Sequence, residues 1–139
     1  MRTYSSIESE FRRNFGELSK FSWCDFRPSS NGNLINASLS ILPLAFADET
    51  RDKAWNEFCR IWLWLQQWMT SFDEGDAIQV VVGFSRDSEP SGQIFKGQLK
   101  VVDLQKLPEN FTVQIFSECG GSFEELFNWS VYTKMLKPI

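Results

Sequence analysis

The spacing of hydrophobic residues changes several times along the chain, and each change predicts a new element. Ser5 and Glu8 match a capping box at the start of a helix. Residues 6–20 then have apolar positions every three or four places, which predicts an amphipathic helix. A longer stripe runs through residues 50–72 without proline or glycine and predicts the longest helix. The residues expected to face the core from it are Trp55, Phe58, Ile61, Trp62, Leu65, Met69 and Phe72.

Shorter segments predict strands. In residues 34–42, LINASLSIL, apolar and polar residues alternate, which is typical of a strand with one buried face. Residues 77–84, AIQVVVGF, have the β-branched continuity of a strand in the centre of a sheet. Further strands are predicted around residues 21–26, 94–104 and 111–116.

Near the carboxyl terminus, Ser122 and Glu125 match a second capping box, which predicts a helix over residues 123–136. The predicted order of elements is αββαβββα, and a chain of 139 residues fits one domain, residues 1–139. Alternating strands usually have one face in water, so the helices are expected largely on one side of the sheet. We therefore predict an α+β fold with a mainly antiparallel sheet of about five strands and about three helices.

Four of the six tryptophans lie in the long predicted helix, but they do not all fit its apolar stripe. With Phe58 at the centre and about 100° per residue, Trp62 falls within about 60° of the centre. On the same count, Leu63, Trp64 and Trp68 lie about 140°, 120° and 80° away. Either another helix covers these three residues, such as the predicted carboxyl-terminal one, or they face a partner, because aromatic residues dominate binding hot spots.

The formal net charge is −4, and the segment between residues 73 and 89 accounts for all of it. The chain has no basic stripe, so direct binding to nucleic acid is disfavoured and a basic protein partner is favoured. Part of the acidic group follows the long helix at the negative end of its macrodipole, where a locally unfavourable choice can mark a functional site. The acidic residues of the segment are Asp73, Glu74, Asp76, Asp87 and Glu89.

Candidate catalytic and metal-binding residues have little support in the sequence. The chain has no histidine, which excludes a Ser-His-Asp triad, a Cys-His pair and a zinc site with imidazole ligands. The acidic segment DEGD lacks the ligand spacing of a calcium-binding loop. Cys119, in SECGGS, lies beside acidic residues and without a histidine to activate it, so we expect an inert thiol. We predict no catalytic residues, no metal and no cofactor.

The location of the protein is also constrained by composition. The longest apolar stretch is interrupted by Arg60, Gln66 and Gln67, so we expect no membrane-spanning helix and no membrane partner. No secretory signal is visible, and the mature chain is expected to begin near Met1. Three widely spaced cysteines do not suggest a disulfide framework, which favours the cytoplasm.

The segment WNEFCRIWLWLQQWM, followed by SFDEGD and then by the acidic SRDSEP loop, combines aromatic and acidic residues. In size, charge and element order, the chain resembles the small immunity proteins of bacterial toxin systems, including contact-dependent growth inhibition. The resemblance implies a non-enzymatic domain that binds a basic toxin domain and occludes its active surface. The residues expected to bind this partner are Leu63, Trp64, Trp68, Asp73, Glu74, Asp76, Asp87 and Glu89.

Two other interpretations stay open at this point. The chain could be an enzyme or a ligand-binding domain with a pocket walled by aromatic residues between the sheet and the helices. The lack of histidine and of a convergent polar motif counts against catalysis. Alternatively, the chain could be an adaptor that forms a homodimer through Leu63, Trp64 and Trp68 across a twofold axis.

Overall fold

The computed structural model of the chain has an α+β fold, which confirms the predicted fold class. The residues that the structure describes are 4–15, 24–28, 34–42, 44–86, 89–107, 112–115 and 130–133. Within these ranges the chain forms two α-helices, two short 3-10 segments and six strands. The helices and strands meet in one hydrophobic core.

The two α-helices follow the predicted apolar stripes, and the second ends earlier than predicted. Helix α1 spans Tyr4–Phe15, and residues 16–20 of its prediction lie outside the described part of the chain. Helix α2 spans Ala47–Gln66. The first 3-10 segment, Met69–Ser71, follows it where the prediction continued the helix to residue 72. The apolar stripe therefore extends beyond the α-helix proper.

One mixed sheet contains the described strands in the same order as in the chain. They are β1 Cys24–Pro28, β2 Leu34–Ile41, β3 Ala77–Arg86, β4 Glu89–Lys100, β5 Thr112–Ile115 and β6 Ser130–Thr133. Strands β2 and β3 are parallel, and the other neighbouring pairs are antiparallel. The parallel pair is formed because α2, about 30 Å long, returns the chain to the edge from which β2 started.

Two regions differ from the expectations drawn from the sequence. Strand β4 ends at Lys100, and the second 3-10 segment, Val101–Lys106, follows where the prediction continued the strand. Strand β6 lies inside the predicted helix 123–136, because the β-branched and aromatic residues of SVYT favour a strand. The rest of that predicted helix lies outside the described residues. The predicted count of about five strands and the order αββαβββα are therefore not confirmed.

The core lies between the helices and one face of the sheet. In the register of the sheet, Leu39 on β2 lies beside Val82 on β3, which lies beside Phe95 on β4, and all three are buried. The ring of Phe95 lies 5.1 Å from that of Trp55 and 5.8 Å from that of Phe58, measured between centroids. Burial confirms the predicted stripe of α2; Met69 is partly buried, and the buried members are Trp55, Phe58, Ile61, Trp62, Leu65 and Phe72.

The opposite face of the sheet is more polar. On β2, Asn36 and Ser38 alternate with buried apolar residues and are half-buried themselves. Their neighbours on β3 are Gln79, which is half-buried, and Val81, which is buried. The alternation predicted for residues 34–42 is therefore confirmed from Leu34 to Leu39, whereas Ser40, predicted on the polar face, is buried. Strand β3 is buried on both faces near its middle, as expected for a central strand.

Candidate functional site

The end of α2 is tied to the segment that follows β4. The backbone amides of Gln67 and Trp68 donate to carbonyls three residues earlier, at 3.1 and 2.9 Å, which tightens the helix into 3-10 geometry. At this point the side-chain amide of Gln66 donates to the carbonyl oxygens of Leu104 and Leu107, at 2.8 and 3.4 Å. These two bonds hold the second 3-10 segment against the end of the helix.

The turn between the first 3-10 segment and β3 is closed by Asp76. The amide of Asp76 donates to the carbonyl of Asp73 at 3.0 Å, and its Oδ2 atom accepts the backbone N–H of Asp73 at 3.2 Å. The amide of Val101 donates to the carbonyl of Asp76 at 2.9 Å, which links the turn to the second 3-10 segment. Asp76 is buried, whereas Asp73 and Glu74 are exposed. One carboxylate therefore maintains the turn, and two are presented to solvent.

A groove of about 420 Å³ lies between the two 3-10 segments and the acidic turn. We call it the Glu74 groove; the residues that line it are Met69, Thr70, Phe72, Glu74, Val101, Val102 and Gln105. Phe72 and Val101 are buried, whereas Val102 is 48% exposed and offers apolar surface to a ligand. The bonds made by Gln66 and Asp76 hold both walls, so the groove is formed before any ligand binds.

Negative charge is concentrated on one side of the Glu74 groove. Among the lining residues that the structure describes, Glu74 is the charged one, and the exposed Asp73 precedes it in the chain. On the opposite wall, the Nζ atom of Lys106 lies 3.7 Å from the carboxylate of Asp103, so its charge is partly compensated. Lys100 is exposed just before that wall. A bound cation therefore finds its partners on the side of Asp73 and Glu74.

Helix α1 covers Trp64, one of the two tryptophans that do not fit the apolar stripe. The ring of Trp64 lies 5.7 Å from the ring of Phe11 and 5.7 Å from that of Phe15. The ring of Trp68 lies 5.5 Å from that of Trp64. Trp64 and its neighbour Leu63 are half-buried, and Trp68 is 8% exposed. Helix α1 thus covers Trp64, and Trp68 packs against Trp64. The role of Leu63, Trp64 and Trp68 in binding a partner stays a prediction.

The predicted acidic residues lie at two ends of the sheet. The acidic turn, residues 73–76, comes directly before β3, whereas Glu89 begins β4 beyond the other end of β3, with its backbone opposite Arg86. Strand β3 has 10 residues, a length of roughly 30 Å. Asp87 lies outside the described residues. The acidic turn and Glu89 therefore do not form one continuous site.

An exposed apolar loop precedes α2, and neither helical nor strand spacing indicates it in the sequence. Leu44 and Phe46 are 43% and 67% exposed. The buried hydroxyl of Thr50 accepts the backbone N–H of Leu44 at 2.8 Å and donates to the carbonyl of Phe46 at 3.0 Å. Asp48 and Glu49 lie in the first turn of α2 and are exposed. The loop thus combines a fixed backbone with projecting apolar side chains.

The second 3-10 segment, which forms one wall of the groove, was predicted as part of a strand. A different signal was present in the sequence, because Val101, Leu104 and Leu107 recur every three residues, the repeat of a 3-10 helix. All three residues are buried in the structure. By contrast, Gln66 carries no local signal of its role, since its hydrogen-bond partners lie 38 and 41 residues ahead.

The described part of the chain contains neither a metal-binding cluster nor a membrane-spanning helix. Among its side chains, no three or more His, Cys, Asp or Glu residues lie together in a way that could hold a metal ion. In the same residues, no helix has both the length and the apolar character that crossing a bilayer requires.

No protein-family model, curated protein or solved structure compared with the chain matches it. Residue roles therefore have to be inferred from the geometry and the charge of this chain. In the Glu74 groove, two walls, an acidic turn and an exposed valine meet.

Proposed function

We propose that the chain is a non-enzymatic protein-binding domain that covers a basic surface of its partner with the end that contains the Glu74 groove. The observation that carries this proposal is a preformed apolar groove with exposed carboxylates on one side. Val102 supplies exposed apolar surface, and Asp73 and Glu74 supply the charge. An apolar centre with a polar border is the usual composition of a protein interface.

The groove is suited to binding because its walls need little ordering. The bond from Gln66 to Leu104, at 2.8 Å, holds one wall to α2. The bond from Val101 to Asp76, at 2.9 Å, holds the same wall to the acidic turn. Association costs less conformational entropy when the receiving surface is already fixed, so a small apolar contact contributes more to affinity.

Charge determines the class of partner in this proposal. The net charge of −4 and the exposed carboxylates attract a surface rich in Lys and Arg and repel an acidic one. A carboxylate can also accept two parallel hydrogen bonds from one Arg, which adds geometric specificity to the attraction. The favoured partner is therefore a basic protein.

In its cellular role, the proposed domain acts as an immunity protein of the bacterial type described above. It binds a basic toxin domain in the cytoplasm and occludes the active surface, which requires no catalytic residue, metal or cofactor of its own. Trp64 and Trp68 contribute by packing at the end of α2 beside the groove, and the half-buried Leu63 is a candidate for direct contact with the partner. Asp87 and Glu89 contribute only if the partner extends over the length of β3, roughly 30 Å.

The test compares two identical dipeptides at opposite ends of α2. Asp73-Glu74 borders the groove, and Asp48-Glu49 lies in the first helical turn, so each pair can be replaced by two lysines. Tagged wild-type protein and both variants are expressed in the native host, and the captured proteins are identified and quantified by mass spectrometry. We expect a basic protein to be captured by the wild type and by D48K/E49K, and to be lost from D73K/E74K.

The control variant, D48K/E49K, separates a loss of binding from a loss of stability. Lysines in the first turn of α2 oppose the helix macrodipole and cost about 0.3 to 1 kcal/mol each, so D48K/E49K is expected to lose stability. If D73K/E74K has an unfolding temperature at or above that of D48K/E49K, loss of the partner from D73K/E74K alone cannot be attributed to unfolding. Capture of the same basic protein by all three forms, or of no basic protein by the wild type, would contradict the proposal.

A further inference from the structure

We infer that the Glu74 groove receives one apolar side chain of the partner, and that a Lys or Arg adjacent to it pairs with Glu74 and Asp73. This inference rests on the proposed function and specifies which residues of the partner the site selects. It depends on the size of the groove, the chemistry of its lining and the position of its charges.

The size of the groove limits what can enter it. Its volume of about 420 Å³ is near the lower end of the range of roughly 300 to 1,000 Å³ that is usual for small-molecule pockets. An α-helix with its side chains is about 10 to 12 Å wide, so a whole helix would rest on the rim. A single side chain together with its own backbone fits within the groove.

The lining favours an apolar side chain. Four of the seven lining residues, Met69, Phe72, Val101 and Val102, are apolar, and Val102 is 48% exposed, so an occupant removes apolar surface from water. The unbranched thioether of Met69, which is partly buried, can adapt to side chains of different shape. The exposed polar side chains of Thr70 and Gln105 are available to the backbone of the occupant.

The charges orient the occupant. Glu74 lines the groove on the side of the acidic turn, and Asp73 is exposed beside it. On the other side, the carboxylate of Asp103 already has Lys106 as a partner at 3.7 Å, so it attracts a further cation less strongly than Asp73 and Glu74 do. A basic residue next to the apolar one therefore lies over the acidic turn, where both carboxylates are within reach.

The same charges disfavour a second copy of this chain as the occupant. Outside the groove, the exposed large apolar residues in the described part of the chain are Leu44 and Phe46, and they precede Asp48 and Glu49, which are exposed as well. Inserting this loop into the groove would bring these carboxylates close to Glu74, and like charges repel. The occupant is thus a basic segment of a different protein.

The test uses blocked tripeptides as probes of the groove. The protein is labelled with 13C at the methyl groups of its three methionines, and the Met69 signal is identified with a Met69→Leu variant. We expect Lys-Leu-Lys to shift the Met69 signal in a saturable way. Glu-Leu-Glu and Lys-Ser-Lys should each bind with an affinity lower by about tenfold or more. Glu-Leu-Glu lacks the positive charges, and Lys-Ser-Lys lacks the apolar side chain.

Variants of the protein complete the test. In Glu74→Lys, affinity for Lys-Leu-Lys should fall about tenfold, whereas D48K/E49K should bind it as the wild type does. Equal binding of Lys-Leu-Lys and Lys-Ser-Lys, or of Lys-Leu-Lys and Glu-Leu-Glu, would overturn the inference. A shift of the Met69 signal that depends on protein concentration, without peptide, would overturn it in favour of a second copy.

Failure of this inference can be told apart from failure of the proposed function. The Val102→Arg variant places a long cationic side chain in the groove while leaving the core intact, since Val102 is 48% exposed. We expect it to lose the captured basic protein and to keep the wild-type unfolding temperature. If Val102→Arg retains a basic partner that D73K/E74K loses, the proposed function stands and the groove inference fails. If the wild type captures no basic protein, the proposed function itself fails.

Discussion

The two ends of α2 have similar residues but opposite shapes. At the amino-terminal end, Phe46 projects from a loop and is 67% exposed. At the carboxyl-terminal end, Phe72 is buried in the floor of a groove of about 420 Å³. Each end also has an exposed Asp-Glu dipeptide, Asp48-Glu49 and Asp73-Glu74. Composition alone therefore does not decide whether apolar surface projects or is recessed.

The difference between the ends comes from what their hydrogen bonds connect. Thr50 bonds to residues 6 and 4 positions before it, which pulls the loop only onto its own helix. Gln66 bonds to residues 38 and 41 positions after it, which brings a second segment alongside the helix. A groove needs two walls, and a long-range hydrogen bond can bring a second wall beside the helix. A local hydrogen bond cannot do so, and it leaves a convex loop.

The largest expected effect concerns the packing that supports each end. Trp55 is 2% exposed, so Trp55→Ala should lower the free energy of unfolding by about 3 to 5 kcal/mol. Trp64 is half-buried beneath α1, so Trp64→Ala should cost less, about 2 kcal/mol. Urea denaturation of both variants measures the difference. If Trp64→Ala left stability unchanged, the contact between α1 and the end of α2 would be contradicted.

The next effect is specific to the groove end. Asp76→Ala removes the carboxylate that accepts the Asp73 amide and should lower stability by about 1 to 3 kcal/mol, because Asp76 is 5% exposed. Asp73→Ala is the matched control, and at an exposed position it should change stability by about 0.5 kcal/mol or less. Thermal unfolding measures stability, and hydrogen exchange of the Val101 amide reports on the wall. Equal effects of the two variants would show that Asp76 does not hold the turn.

The smallest effect concerns the loop end. Thr50→Val keeps the shape of the side chain but removes the hydroxyl that bonds to Leu44 and Phe46, so stability should fall by about 1 kcal/mol. Affinity of the groove for Lys-Leu-Lys should not change, because Thr50 and the groove lie near opposite ends of α2, whose 20 residues span about 30 Å. The exposed Thr70 provides a control for stability, since Thr70→Val should be neutral. A loss of peptide affinity in Thr50→Val would show that the ends are coupled.

The fold class and the main helix could be predicted from the sequence because both depend on local periodicity. The stripe from Trp55 to Phe72 is buried as its spacing predicted, and β3 is central as its β-branched run predicted. A capping box, in contrast, is only a local signal. The one at Ser122 predicted a helix across residues that form β6, where pairing with β5 determines the structure.

The candidate site was less predictable because it depends on contacts between distant segments. Periodicity identified Trp64 and Trp68 as lying outside the stripe of α2, but it could not show that Phe11 and Phe15 of α1 cover Trp64. The acidic turn was found by charge alone. The sequence did not indicate that the second 3-10 segment forms the opposite wall of the groove. Val102 comes to lie opposite the acidic turn only after the whole β3–β4 hairpin has formed.

The bonds of Gln66 also have a consequence for the order in which a nascent chain can fold. Thr50 finds its partners among residues already synthesised, whereas Leu107 is added 41 residues after Gln66. At a synthesis rate of about 5 to 20 residues per second, this interval lasts roughly 2 to 8 seconds. During that time α2 has been synthesised, but the second 3-10 segment is not yet complete. The apolar stripe of α2 is therefore more accessible to a chaperone, or to a partner protein that binds the nascent chain, than it is in the folded protein.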